Sequence, residues 1–318
     1  MNIASIDIGT NTILLLVADV NLKTKTITPI HEEIRMPRIG VELNTSGKIP
    51  ENKITELENI LLEYKNIITQ YDCHEFYVVG THAMRKASNN SEIQKRIFDK
   101  ASFLIDIISP EEEADCAFYG VKASMPLSNT FAIIDIGGGS TEIIIGHGNN
   151  ILNKVSIPIG VVTLKDSFIQ NYPISEEDDK RLKKKINYEM SNINLSHYAP
   201  SSLVGISGTP TTLSAIKNNL NTFDAKMIDK TVMSRNEIER ILAALKHSTL
   251  DEIKKTYGEI ISKREDILYI GGVILLEVMD YLNMINVKVS TYGIRHGVIY
   301  IKMIAKKQIN DKMIIEKM

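Results

Sequence analysis

The tetrapeptide Ile–Asp–Ile–Gly is written twice in this chain, once at residues 6–9 and again at 134–137. The first copy leads through Thr10–Asn11–Thr12 into the apolar run 13–17, the second through Gly138–Gly139–Ser140–Thr141 into 143–145. Short β-branched runs on both sides of a small polar turn read as strand, turn, strand. Each turn carries an Asp at its mouth. A chain that repeats such a hairpin is constrained to fold as two related halves.

The rest of the pattern fits that constraint. In the first half, spacing predicts a hairpin over 3–20, a third strand over 26–34, and a helix carrying Ile54, Leu57, Leu61, Tyr64 and Ile68 on one face. A strand at 76–79, a helix over 91–101 and a buried strand at 104–108 follow. Ser109–Pro110 then opens a helix with acids in its first turn. After Gly120 the plan restarts with a hairpin over 131–146 and a strand edge at 155–158. Helices are predicted over 178–190, 211–218 and 234–246, the last with the Ser234/Glu237 capping pair. Strands are predicted at 203–206, 267–270 and 287–290, with Gly271–Gly272 opening a long apolar helix and a closing helix from about Ile294. Strands alternating with helices in both halves define an α/β chain.

Composition narrows the function classes. A net charge of −2 gives no basic field for a nucleic-acid polymer or a membrane surface, so an anionic ligand needs a local site. Cys73 and Cys116 form no CxxC pair and no Cys/His cluster, which argues against a disulfide framework or structural zinc and fits a reducing compartment. The apolar stretch 267–282 is interrupted by Glu277 and Asp280, so no membrane span is expected. With no signal-peptide pattern at the N-terminus, the expected location is the cytoplasm.

Small and glycine residues let backbone N–H groups converge on an anion. Gly9, Thr10, Asn11 and Thr12 in one turn, and Gly137, Gly138, Gly139, Ser140 and Thr141 in the other, are therefore expected to hold phosphate. Asp7 and Asp135 would repel a phosphate directly, and a bridging Mg²⁺ accounts for them. Ser207–Gly208–Thr209 makes a further strand-to-helix turn with amides suited to phosphate, and Arg85 could clamp one. No GxxxxGK[ST] occurs, and the glycines lead into strands rather than opening a helix, so a P-loop ATPase and a dinucleotide enzyme are disfavoured. Lys180, Arg181 and Lys183–Lys185 read as a solvated helix face, as do Lys306 and Lys307. His82 reads as a packed or surface residue.

Taken with VVGTHAMRKASN (78–89), ISPEEEA (108–114), GISGTPTTLSA (205–215) and STYGIRHG (290–297), the hairpins IDIGTNT and IDIGGGSTE (134–142) resemble one family. It is the exopolyphosphatase / guanosine pentaphosphate phosphohydrolase (Ppx/GppA phosphatase) family, in its short form without the C-terminal HD-type domain. The resemblance runs end to end, with the motifs in order. It implies two ribonuclease-H-like domains of the sugar kinase, actin and heat-shock ATPase superfamily, with the active site in the cleft between them. The expected limits are 1–122, completed by a C-terminal helix over 298–318, and 123–297. Cleft closure is expected about hinges near Gly120 and Gly293–Gly297.

The resemblance also implies the chemistry: hydrolysis of terminal phosphoanhydride bonds of inorganic polyphosphate, releasing orthophosphate, with guanosine pentaphosphate as the alternative substrate. Glu113 aligns with the family's water-activating glutamate. Glu142 joins Asp7 and Asp135 as an expected metal group for Mg²⁺, with K⁺ as a candidate second ion. A homodimer is the expected assembly. A kinase of the same superfamily and a non-catalytic nucleotide or alarmone sensor are the rivals. Three departures stand out: His296 where the family usually carries Glu, Pro210 where Ala is common after SGT, and a partial RLGEG loop at 37–41.

Overall fold

The computed structural model describes residues 1–303, the side chain of Asn44 excepted. The chain divides into two compact units, Met1–Pro126 together with the chain from Gly293 on, and Leu127–Tyr292.

In the first unit β1 (Asn2–Ile8), β2 (Ile13–Asn21) and β3 (Thr26–Arg35) form an antiparallel arm. β4 (Glu75–Gly80) runs parallel to β1 and β5 (Ile105–Ile107) parallel to β4, giving the order β3-β2-β1-β4-β5. The helices are α1 (Leu43–Ser46), α2 (Glu51–Gln70), α3 (His82–Lys86), α4 (Asn90–Ala101) and α5 (Pro110–Ser124). Strand alternation splits β1 between two faces. Ala4, Ile6 and Ile8 pack with Leu57, Leu61 and Tyr64 of α2 and with Ile93 and Ile97 of α4. Ile3 joins Leu16, Ala18, Ile299 and Met303 on the opposite face, and the same alternation sends Asp7 to that second face. Tyr64 adds direction to the packing, because its hydroxyl donates to the Ile13 carbonyl at 3.0 Å inside the core.

Residues 294–303 are helical and lie against α5. A Cβ on Gly120 would stand 2.2 Å from the Gly293 carbonyl oxygen, and one on Gly297 would stand 1.7 Å from that of Cys116. This backbone-to-backbone approach is why 293–297 belong with the first unit rather than the second. Gly120 and Gly297 are thus packed helix contacts in the first unit. Lys306, Lys307 and the rest of the expected closing helix lie outside the described residues.

The second unit repeats the plan. β6 (Thr130–Ile136), β7 (Thr141–His147) and β8 (Asn150–Ile157) form the antiparallel arm, and β9 (Leu203–Ile206) lies parallel to β6. β10 (Val232–Ser234) adds an antiparallel edge to β11 (Asn286–Val289), itself parallel to β9, so the order is β10-β11-β9-β6-β7-β8. Its helices are α6 (Val161–Phe168), α7 (Glu176–Ser191), α8 (Gly208–Lys217), α9 (Ala225–Ile228), α10 (Arg235–Lys246), α11 (Leu250–Tyr257) and α12 (Leu268–Tyr281). Three of them meet at Asp179, which accepts from Lys246 at 2.9 Å, Lys183 at 3.1 Å and the Tyr269 hydroxyl at 2.7 Å. Both units have the ribonuclease-H-like arrangement, an antiparallel hairpin arm extended by parallel strands.

Two elements differ from the sequence expectation. The predicted strand 267–270 is the first turn of α12, because a fully buried apolar run carries no periodicity to separate strand from helix. Gly271 and Gly272 lie inside that helix and let it close on Thr209 and Leu242, which a Cβ would approach to 2.1 and 2.3 Å. The strand at 104–108 shrinks to three residues at the sheet edge, with Leu104 76% exposed. Among the described residues no helix is long and apolar enough to cross a membrane.

Candidate active site

In the second unit the sheet register itself builds a row of polar groups. Asp135 on β6 faces Glu142 on β7, and Glu142 faces Ser156 on β8. The Ser156 hydroxyl donates to Glu142 Oε1 at 2.7 Å. Both acids are buried, with Asp135 3% and Glu142 1% exposed. Like charges directly opposite one another destabilise a sheet unless a countercharge joins them. Burial pushes the Asp135 carboxyl up to about 6, against a hydrogen bond from the Ser207 hydroxyl that lowers it. Its Oδ2 has no hydrogen-bond partner.

The glycine turn above this row is braced from behind by α6. Gly137 N–H closes the turn on the Ser140 carbonyl at 2.9 Å. The first amides of α6 are spent on it: Val161 donates to Gly137 O at 3.0 Å and Val162 to Gly138 O at 2.9 Å. In trans peptides the N–H points opposite to the C=O. The N–H groups of Gly138 and Gly139 therefore point away from α6, which is the arrangement of an anion nest. Gly160 makes the close approach possible, since a Cβ there would meet Gly138 and Gly139 backbone at 2.4 Å. Thr141 is a correction to the expected phosphate ligands. Its hydroxyl donates to Ile159 O at 2.7 Å and it is fully buried, because strand alternation turns it into the core rather than onto the turn.

The turn after β9 has its own cation. Arg264 is 9% exposed and donates through Nη1 to Gly208 O at 3.2 Å and to the Thr212 hydroxyl. Burial lowers its pKa to about 10, and among the described residues no carboxylate pairs with it. Gly208 admits the guanidinium, whose Cζ would lie 3.1 Å from a Cβ at that position. Nothing in the sequence singled out Arg264. Pro210, in the first turn of α8, costs no hydrogen bond there.

In the first unit the β1–β2 turn is closed by Gly9 N–H on Thr12 O at 3.0 Å. The segment 37–41 clamps it, Arg38 N–H donating to Asn11 O at 3.1 Å and Gly40 N–H to Thr10 O at 3.0 Å. The Thr10 side chain packs on Gly40, and Asn11 donates to the Thr12 hydroxyl at 3.2 Å. Asp7 is 8% exposed and, unlike Asp135, faces an apolar cross-strand partner, Leu14.

Two expected residues of this unit meet directly. Glu113 stands in the first turn of α5, fixed by the Ser109/Glu112 capping box with Pro110 at its start. Arg85, in the last turn of α3, donates through Nη1 to Glu113 Oε2 at 3.2 Å and to the Ile108 carbonyl at 2.6 Å. Glu113 is 6% exposed. His82, one turn before Arg85 on α3, is held neutral, its pKa lowered to about 4 by burial and then by the Arg85 and Lys86 charges. His296, in the place of the family's Glu, is fully buried. Its Nδ1 accepts from Gly293 N–H at 3.4 Å, and burial holds it well below its usual range. Beside it Arg295 pairs with Glu32 at 2.8 Å and donates to Leu15 O.

The cationic stretch of α7 is spent locally, Arg181 on Asp178, Lys183 on Asp179 and Lys185 on Glu189. That agrees with a solvated face. Among the described residues no group of three or more His, Cys, Asp or Glu gathers as a metal cage. The Asp135/Glu142 pair nevertheless suits a hard divalent cation that keeps water or phosphate oxygens in its remaining positions.

A glycine nest, a buried carboxylate pair and a buried arginine packed against a helix-opening turn define a phosphate-handling α/β protein. The chain belongs to the Ppx/GppA phosphatase family, whose model matches residues 16–306. Among its relatives, Exopolyphosphatase 2 of Mycobacterium tuberculosis is 28% identical over 71% of this chain and 74% of its own length. The bifunctional 3-dehydroquinate synthase/phosphatase of Fusobacterium nucleatum is 30% identical over 87% of this chain, which spans only 43% of that relative. The solved Ppx/GppA family member from Aquifex aeolicus superposes with a TM-score of 0.82 at 28% identity, covering 96% of this chain and 98% of that one. An exopolyphosphatase from Cytophaga hutchinsonii gives 0.87 at 27% identity, covering 96% and 98%.

Proposed function

We propose that this protein is an exopolyphosphatase, hydrolysing the terminal phosphoanhydride bond of inorganic polyphosphate to release orthophosphate. The observation that carries this reading is the Arg85–Glu113 pair: a buried carboxylate on a rigid first helical turn, beside a guanidinium able to take a phosphate oxygen. Kinase chemistry has no need of a carboxylate that activates water. Hydrolysis is served by one that orients the water and takes its proton.

In this reading Glu113 orients a water and accepts its proton as the oxygen attacks the terminal phosphorus. The bridging oxygen leaves with the shortened chain. The amides of Gly9–Thr12, of Gly137–Ser140 and of Ser207–Thr209 meet the phosphoryl oxygens, with Arg85 and Arg264 supplying positive charge. Mg²⁺, for which Asp135 and Glu142 are the fitting groups together with Asp7, would supply further charge on the phosphate oxygens. The same proposal includes K⁺ as a second ion and a homodimer acting in the cytoplasm.

Guanosine pentaphosphate is the second reading. A relative named guanosine-5'-triphosphate,3'-diphosphate pyrophosphatase, from Photobacterium profundum, is 25% identical over 97% of this chain and 60% of its own length. Both substrates end in the same phosphoanhydride, so side-by-side kinetics decide between them. Polyphosphate should give the higher kcat/KM; a clear preference for the pentaphosphate would replace the first reading with the second, and release from neither would end both.

A further inference from the structure

Ser207, the residue joining β9 to α8, has φ 70° and ψ −164°. That region of backbone space is essentially reserved for glycine, and a residue with a side chain stays there only when its surroundings hold it. The sheet supplies one constraint. Ile206 is in register with Asp135 across the β6–β9 pair, so the chain leaves β9 alongside that carboxylate. The Ser207 hydroxyl is hydrogen-bonded to it. The flanks supply another. A Cβ on Gly205 would meet Pro210 at 2.9 Å, and Arg264 lies over Gly208, so the turn has no slack on either side. Asp135 Oδ2 has no hydrogen-bond partner, which leaves Oδ1 to the hydroxyl.

We propose that Ser207 is a positioning residue for Asp135: the strained turn holds its hydroxyl on Oδ1, fixes the carboxylate plane, and leaves Oδ2 as the oxygen presented to a cation. The inference rests on Asp135 being the ligand-holding group of the proposed function. It reassigns Ser207, whose side chain serves Asp135 while only its backbone is left for phosphate. Strain and hydroxyl are then separable. A glycine at this position removes both, and an alanine removes the hydroxyl alone.

The experiment compares wild type, Ser207→Gly and Ser207→Ala by three measurements. These are the unfolding midpoint without metal, the midpoint shift caused by Mg²⁺ with orthophosphate, and kcat and KM on polyphosphate. Ser207→Gly should unfold higher than wild type by roughly 2–10 °C, and Ser207→Ala should not. Both variants should lose most of the Mg²⁺ shift and about tenfold in kcat, with KM little changed. A Ser207→Gly protein with wild-type kcat and Mg²⁺ shift, or with a midpoint at or below wild type, overturns the proposal, as does a wild type that shows no Mg²⁺ shift. If wild type releases no phosphate, the functional reading fails, while the midpoints and Mg²⁺ shifts still judge Ser207.

Discussion

Replacing Asp135 with Asn should make the metal-free protein more stable while disabling it. Asp135 is 3% exposed and faces Glu142, 1% exposed, across the β6–β7 ladder. Burial raises its pKa from 3.8 to about 6. The folded state therefore holds this proton more tightly than the unfolded chain. Below about pH 4 both states are protonated and the group costs nothing. As pH rises from 3.8 to about 6 the cost accumulates, and above about pH 6 it stays in full, on the order of 3 kcal/mol. Asn carries no charge and escapes it. Without Mg²⁺ at pH 8, Asp135→Asn should unfold on the order of 5–10 °C above wild type, a gain that shrinks at pH 5. Millimolar Mg²⁺ should narrow the gap by stabilising wild type alone. Phosphate release by the variant should fall about a hundredfold or more. Scanning calorimetry at the two pH values, with and without Mg²⁺, gives the comparison. A variant no more stable than wild type at pH 8, or a gain equal at both pH values, would show that the buried Asp135 charge carries no such cost.

Three further outcomes are expected. Gly160→Ala should push the Gly138–Gly139 backbone outward, costing about 1–3 kcal/mol in denaturant titration and about tenfold or more in phosphate release. Gly40→Ala should displace the Thr10 side chain, whose Cγ2 would stand 2.2 Å from the new Cβ, and raise KM for polyphosphate with a smaller loss of stability. His82 has its pKa lowered from 6.5 to about 4, so the stability present above 6.5 is lost as pH falls toward 4, and His82→Asn should lose less than wild type between pH 7 and pH 5 in thermal unfolding.

Much of this architecture was legible because the hairpins carry their own code. Apolar runs around Ile–Asp–Ile–Gly fixed two strands, a turn and the placing of an acid in each unit, and Ser109–Pro110 with its acids fixed where α5 starts and hence where Glu113 stands. The motif could not say which hydroxyls face the ligand. Thr141 belongs to the same signature as Ser140, yet strand alternation sends it into the core. The α12 start was misread because a wholly buried segment has no polar face to set its period. Arg264 escaped notice for a tertiary reason: its burial comes from α8 docking over it, which brings residue 208 against residue 264. The asymmetry between Asp7, facing Leu14, and Asp135, facing Glu142, is likewise a matter of register across strands, which the shared tetrapeptide Ile–Asp–Ile–Gly alone does not show.

In the proposed function, Glu113 is the group that turns a phosphate-holding protein into a hydrolase. Glu113→Gln keeps the shape of the side chain and its place beside Arg85 but removes the proton acceptor. Orthophosphate release from polyphosphate in excess Mg²⁺, measured for wild type and Glu113→Gln at matched folded concentrations, tests it directly. Steady release by wild type and a fall of about a hundredfold or more in kcat for the variant, with KM nearly unchanged, is the predicted result. Equal rates in the two proteins would contradict it.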